Sequence, residues 1–213
     1  DLGARFTKWR AVYSISEKYP SKQSIKSNAH ALARYAALVQ EAKMVPIVEP
    51  EVLMDGDHSI MKCYEVTSEV LKQCYEELKM HKVNLKGTIL KPNMILPGSN
   101  SKDKCSTVEI AKMTIKCLKE NVPPEVPGIA FLSGGQTEVE ATQNLNEINK
   151  INDTNFLMSF SYGRALQQSA LKSWAKDIKD IDKTQKIFNH RSKMNGLSTS
   201  AKWSMDLEKQ LTA

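Results

Sequence analysis

The chain has 213 residues, 41% apolar and 25% charged, the balance of a soluble globular protein with material for one sizeable core. No run of about 18 apolar residues occurs, which argues against a membrane span, and Asp1-Leu2-Gly3-Ala4-Arg5 contains no signal-peptide apolar region. The net charge of +6 comes from scattered Lys and Arg that do not interleave with aromatics, so it favours anionic metabolites over specific nucleic-acid binding.

Ala4 to Ser14 carries β-formers in partial alternation and is expected to form a strand, with Lys8 and Arg10 on one face. The apolar stripe Ala29, Leu32, Tyr35, Ala36 and Val39 predicts a helix over 21–43. Met44 to Glu51 reads as the next strand, where Glu49 and Glu51 repeat the two-apart spacing; the helical period returns over 59–82. Gly87-Thr88-Ile89-Leu90-Lys91-Pro92-Asn93-Met94 then reads as a buried strand that stops at Lys91. Pro92 holds the residue before it extended and supplies no N–H. A lysine with its stem desolvated at a strand mouth suits an amine nucleophile that forms a Schiff base. The plainer reading is a strand-end lysine that reaches water.

A polar loop over 98–104 precedes a helix opened by Ser106 with Glu109 at capping-box spacing. Strands over 128–132 and 157–160 end in Ser133-Gly134-Gly135 and Ser161-Tyr162-Gly163-Arg164, and helices follow over 136–150 and 165–176. The lysine-rich segment 177–213 is expected to begin as a helix, Ile181 to Met194, and then fray. Cys63, Cys74, Cys105 and Cys117 form no CxxC pair and read as reduced thiols of a cytoplasmic protein. His58 and His81 stand without an HxxE or HxxxH partner, so no metal is expected, and Trp9, Trp174 and Trp203 are expected to pack.

Five strands, each followed by a helix, predict a parallel sheet with right-handed crossovers. The unusual polar residues fall at strand C-terminal ends, as active sites do in (β/α)8 barrels. A doubly wound sheet remains open, although no Gly-rich dinucleotide fingerprint follows the first strand. Neighbouring strands lie about 4.8 Å apart, so Lys8, Glu49 and Lys91 can meet over one mouth. There a carboxylate between two amines can shuttle protons, or the three form a structural ion-pair network. The two glycine turns that lead into helices suit phosphate, with backbone N–H groups and the fork of Arg164; the plainer reading is two ordinary glycine turns.

Read together, Lys8-Trp9-Arg10, Pro46 to Glu51 with Asp55 to His58, Gly87 to Met94, Phe131 to Gln136 and Phe160 to Leu166 closely resemble class I fructose-bisphosphate aldolases. The resemblance runs from about Gly3 to Ala175. It implies an α/β fold, the (β/α)8 TIM barrel, of which 1–176 would be units four to eight and 177–213 a C-terminal helix and tail. It implies Lys91 as the Schiff-base lysine, Glu49 as the acid/base that dehydrates the carbinolamine, Lys8 as an aid to bond cleavage and Glu51 as the carboxylate that orients Lys8. Arg10 would bind the 6-phosphate, and Ser133, Gly134, Gly163 and Arg164 the 1-phosphate, with Ser161 also among the substrate-binding residues. Fructose 1,6-bisphosphate would be cleaved in glycolysis, in the cytoplasm, by a homotetramer without metal or cofactor. In the family, three further βα units carry an aspartate and a phosphate-binding lysine, and the tail often ends in tyrosine where this sequence reads Leu211-Thr212-Ala213. The alternative is a non-catalytic relative that serves as a binding or scaffold module.

Overall fold

The computed structural model describes residues 2–212; the expectations that fall on Asp1 and Ala213 lie outside them. Strand and helix alternate as β1 (Phe6–Tyr13), α1 (Lys22–Glu41), β2 (Val45–Val52), α2 (Ile60–Met80), β3 (Ile89–Leu90), α3 (Thr107–Asn121), β4 (Gly128–Phe131), α4 (Glu138–Lys150), β5 (Leu157–Phe160) and α5 (Arg164–Lys176). All the strands pair in parallel, in the order β1-β2-β3-β4-β5. A doubly wound sheet reverses its strand order at a switch point. This one never does, so the fold is α/β with partial barrel units.

Helix starts follow the capping rules. Ser21, Ser59, Ser106 and Thr137 each accept a backbone N–H at the first turn of α1, α2, α3 and α4, and Ser106 and Thr137 complete capping boxes with Glu109 and Glu140. Strand alternation sends Ala11 and Tyr13 of β1 into one core with Val48, Val52, Leu90 and Phe131, under Leu32, Leu71 and Leu145 of the helices. Cys63, Cys74 and Cys117 are buried free thiols in that core and Cys105 is half-buried. Phe6, Lys8, Arg10 and Val12 occupy the opposite face of β1 and are exposed there.

Two expectations are corrected. The stretch from Gly87 is not one strand: Leu85–Gly87 is a 3-10 turn and β3 keeps two residues. The ladder still passes Lys91, whose N–H donates to the carbonyl of Val48 at 2.8 Å, and Pro92 accepts from Leu132 at 3.1 Å. Pro92 cannot donate, so the side chain of the buried Asn93 takes over. Its Oδ1 accepts from the N–H of Val52 at 3.0 Å and its Nδ2 donates to Thr67 Oγ1 at 3.1 Å, which ties β2 and the strand end to α2.

The terminal segment does not fray. Helix α6 runs over Ile181–Ser198 and is followed by the short α7, Met205–Glu208, and a 3-10 turn, Lys209–Thr212. Thr142 of α4 donates to Asn195 Oδ1 at 2.6 Å, and the buried Trp203 donates its N–H to Asn146 Oδ1 at 3.0 Å. Arg191 grips Glu208 with two bonds of 2.7 and 2.8 Å. These buried polar partners hold the tail on the helical layer. Of the tryptophans expected to pack, Trp203 is buried, whereas Trp9 and Trp174 are exposed.

Candidate active site

Lys8, the third residue of β1, Glu49, in the middle of β2, and Lys91, just past the end of β3, come together. The expectation that all three end their strands is corrected for Lys8 and Glu49, because the β1–β2 ladder continues to Tyr13 and Val52. Glu49 is almost fully buried, and its Oε1 lies 2.9 Å from Lys91 Nζ while its Oε2 lies 2.9 Å from Lys8 Nζ. The contact at Oε2 is ionic without hydrogen-bond alignment, which leaves lone-pair capacity on that oxygen. The lysines differ in setting, for the Lys91 side chain is 12% exposed and that of Lys8 is 41% exposed. One carboxylate therefore bridges a sheltered amine and an open one.

Glu51 does not face Lys8, as the resemblance implies, but Arg10, whose Nε donates to its Oε2 at 2.5 Å. The register explains it. Lys8 stands opposite Ile47 and Arg10 opposite Glu49, so each cation reaches along the strand to the carboxylate two positions further on. The bond to Glu51 raises the pKa of Arg10, with Glu49 adding to the effect, and the two terminal guanidinium nitrogens stay uncommitted. Three cations and two carboxylates leave this face with positive charge to spare.

The glycine turns sit at the ends of the next two strands. Leu132 bonds back to Pro92, and Ser161 donates to the carbonyl of Phe131 at 2.8 Å, so Ser133, Gly134 and Ser161 follow Lys91 around the same rim. Gly134 and Gly135 have φ of +59° and +88°, which side-chain-bearing residues rarely adopt. The two helix N-termini are not equivalent. In α4 the capping box occupies the N–H groups of Thr137 and Glu140, which leaves those of Glu138 and Val139 as the open amides of its first turn. Helix α5 starts at Gly163 without any side-chain cap, and Arg164 is exposed beside its open N–H groups. The buried Tyr162 secures this turn by donating to the carbonyl of Ala141 at 2.9 Å.

The loops after β2 and β3 are joined over the rim. Ser99, Gly98 and Asn100 donate to the carbonyls of Met54, His58 and Gly56 at 2.7 to 2.8 Å. A Cβ on Gly98 would lie 2.4 Å from the oxygen of Gly56, so glycine is required there. His58 is buried beneath this clasp with both ring nitrogens unpartnered, and burial lowers its pKa against the opposing charge of Asp57.

Two features escape sequence reasoning. One is Asn93, signalled only by a polar residue just after the proline that breaks the ladder. The other is the group of His30, Glu77 and His81, which lie close enough to share a cation; its signal is Glu77 four residues before His81. An apolar groove between α5 and α6, about 580 Å³ and lined by Leu171, Trp174 and Phe188, has no ionisable side chain in its lining and does not include Lys8 or Lys91.

Fold and site define a barrel-type α/β protein whose ionisable side chains Lys8, Glu49 and Lys91 gather across three neighbouring parallel strands. Comparison with known proteins narrows this class. The family model described as class-I fructose-bisphosphate aldolase, glycolytic, matches residues 1–213. A probable class 1 fructose-bisphosphate aldolase of Xanthomonas campestris is 52% identical over 203 residues, covering 95% of this chain and 61% of that protein. Cytosolic fructose-bisphosphate aldolase 4 of Arabidopsis thaliana is 52% identical over 200 residues, covering 93% and 51%. Among solved structures, the Plasmodium falciparum aldolase in complex with TRAP and a small-molecule inhibitor superposes with a TM-score of 0.92 at 43% identity, covering 95% of this chain and 59% of that one. The chain belongs to the class I fructose-bisphosphate aldolase family, and it spans between half and two thirds of the length of these relatives.

Proposed function

We propose that this chain carries the covalent centre of a class I aldolase that cleaves fructose 1,6-bisphosphate reversibly into dihydroxyacetone phosphate and glyceraldehyde 3-phosphate. The observation that carries the reading is the single buried carboxylate of Glu49, 2.9 Å from both Lys91 and Lys8. Lys91, as the free amine, attacks the ketone carbon of the open-chain sugar. Glu49 gives a proton to the resulting hydroxyl, which leaves as water, and an iminium remains. The iminium accepts the electron pair of the breaking carbon–carbon bond as the 4-hydroxyl loses its proton and the aldehyde departs. Lys8 supplies positive charge beside the developing negative charge. Protonation of the enamine carbon and hydrolysis then release the ketone and restore Lys91.

The phosphates define the ends of the substrate. The free terminal nitrogens of Arg10 hold the 6-phosphate, and Ser133, Gly134, Ser161, Gly163 and Arg164 hold the 1-phosphate around the open start of α5. Glu51 fixes the guanidinium of Arg10 instead of orienting Lys8. Barrel units four to eight occupy 1–176, and 177–213 pack on them as a C-terminal helix and tail. The chemistry needs no metal. By the same family resemblance the enzyme is a glycolytic, cytosolic homotetramer.

The test is Lys91→Arg in a protein with the full set of barrel strands. Arginine keeps a cation beside Glu49 but removes the nucleophile, so cleavage falls by at least about 10³-fold with the melting temperature retained. Near-normal cleavage by the variant would overturn the proposal.

A further inference from the structure

We infer that His30, Glu77 and His81 form a binding site for a divalent transition-metal ion of the zinc type, one that staples α1 to α2 away from the lysine rim. His30 lies in the middle of α1, while Glu77 sits on the last turn of α2 and His81 caps it, so the latter two share a helix face at four-residue spacing. The Glu77 side chain is only 5% exposed, and the groups turned to its Oε2 are Nδ1 of His30 at 3.2 Å and Nδ1 of His81 at 3.8 Å. A carboxylate so deeply buried is paired or coordinates a metal. Here it faces two imidazoles, whose rings meet edge to face with centroids 4.8 Å apart.

One ligand atom from each side chain lies within 4.8 Å of the other two. Tetrahedral zinc with bonds of about 2.0–2.1 Å sets its ligand atoms about 3.3 Å apart. Glu77 and His30 already stand at that separation, at 3.2 Å. His81 is prepared in another way, because its Nδ1 lies 2.9 Å from the backbone carbonyl of Glu77. Donation there leaves Nε2 as the ligand atom, with the backbone carbonyl on the second nitrogen that a metal-binding imidazole usually has. The 3.8 Å contact to Glu77 is made by Nδ1, so the ring turns to bring Nε2 to the ion. Two imidazoles and one carboxylate suit zinc, cobalt or nickel better than calcium or magnesium. His30 is half-exposed, so its ring can close on the ion while water takes the fourth position.

The test uses the 213-residue chain with Cys105→Ser, which removes the one described cysteine that is not fully buried. It is titrated with Co²⁺, read by its visible d–d bands, and then with Zn²⁺ as competitor. The expected result is one saturable equivalent with tetrahedral-type bands, displaced by Zn²⁺. His30→Ala should weaken the affinity by at least about 100-fold, beyond what loss of an outer-shell partner brings. Glu77→Gln should do the same, but that carboxylate is buried, so the half-exposed His30→Ala decides the matter, with its fold checked by far-ultraviolet circular dichroism. Zn²⁺ should also raise the melting temperature of the parent and leave that of His30→Ala unchanged. The absence of a one-equivalent site, equal affinity in His30→Ala, or a thiolate-to-cobalt charge-transfer band would each overturn the inference.

Discussion

Replacing Glu49 by glutamine should cost stability as well as catalysis, and the structure sets the size of the first effect. Each oxygen of Glu49 lies 2.9 Å from an ammonium, a gross attraction of about 6 kcal/mol per contact at an effective dielectric of about 20, most of which offsets the desolvation of the carboxylate. Removing one partner of a fully buried pair costs about 3–5 kcal/mol. The present case is milder. Lys8 is 41% exposed and can turn to water, and glutamine still offers a carbonyl to one amine. Its amide nitrogen must, however, face the other cation, and Lys91 is too sheltered to escape. The expected loss is about 2–3 kcal/mol. Urea unfolding at neutral pH should show it as a lower midpoint with unchanged slope. A loss below about 0.5 kcal/mol, the level of ordinary surface substitutions, would refute the idea that Glu49 holds the two lysines together.

Gly98→Ala forces a Cβ to within 2.4 Å of the Gly56 oxygen and 2.9 Å of the His58 nitrogen; the loop clasp should open at a cost of about 1–3 kcal/mol, read from the same unfolding curves. Burial raises the pKa of Glu208, but hydrogen bonds from Arg191 and Trp203 overcome this and hold it below the usual 4.5. Its folded value being depressed, Glu208 stabilises the docked tail fully above about pH 4.5, and that contribution fades as the pH falls through the lowered value. Trp203 emission in a Trp9→Phe, Trp174→Phe background should shift in that window, and Arg191→Leu should move the shift to higher pH. In the complete barrel, Arg164→Ala removes charge-assisted bonds worth about 1.5–3 kcal/mol and should lower bisphosphate cleavage by about ten- to a hundredfold.

Lys91 is legible in the sequence because its neighbours speak locally: an apolar run precedes it and Pro92 ends the ladder bonding beyond it. The alternation of five strands with helices is equally local, carried by period and caps, and the parallel order follows from it. Pairings that depend on register are not legible. Lys8 and Arg10 share a face with two carboxylates opposite, and only the alignment of Arg10 with Glu49 decides that Glu51 serves Arg10. The docked tail is hidden for a related reason: Asn146 and Trp203 stand 57 residues apart, and each alone reads as a surface polar group and a stray aromatic. The capping box that opens α4 was open to inspection in the spacing of Thr137 and Glu140.

Covalent chemistry at Lys91 can be read out by trapping its iminium. A preparation with the full set of barrel strands is mixed with dihydroxyacetone phosphate and reduced with borohydride, which converts an iminium into a stable secondary amine, and the adduct is mapped by peptide mass spectrometry. One adduct is expected, on Lys91, absent when the ketone or the borohydride is withheld. An adduct on Lys8 or another lysine, or none in a preparation that cleaves the bisphosphate, would contradict it.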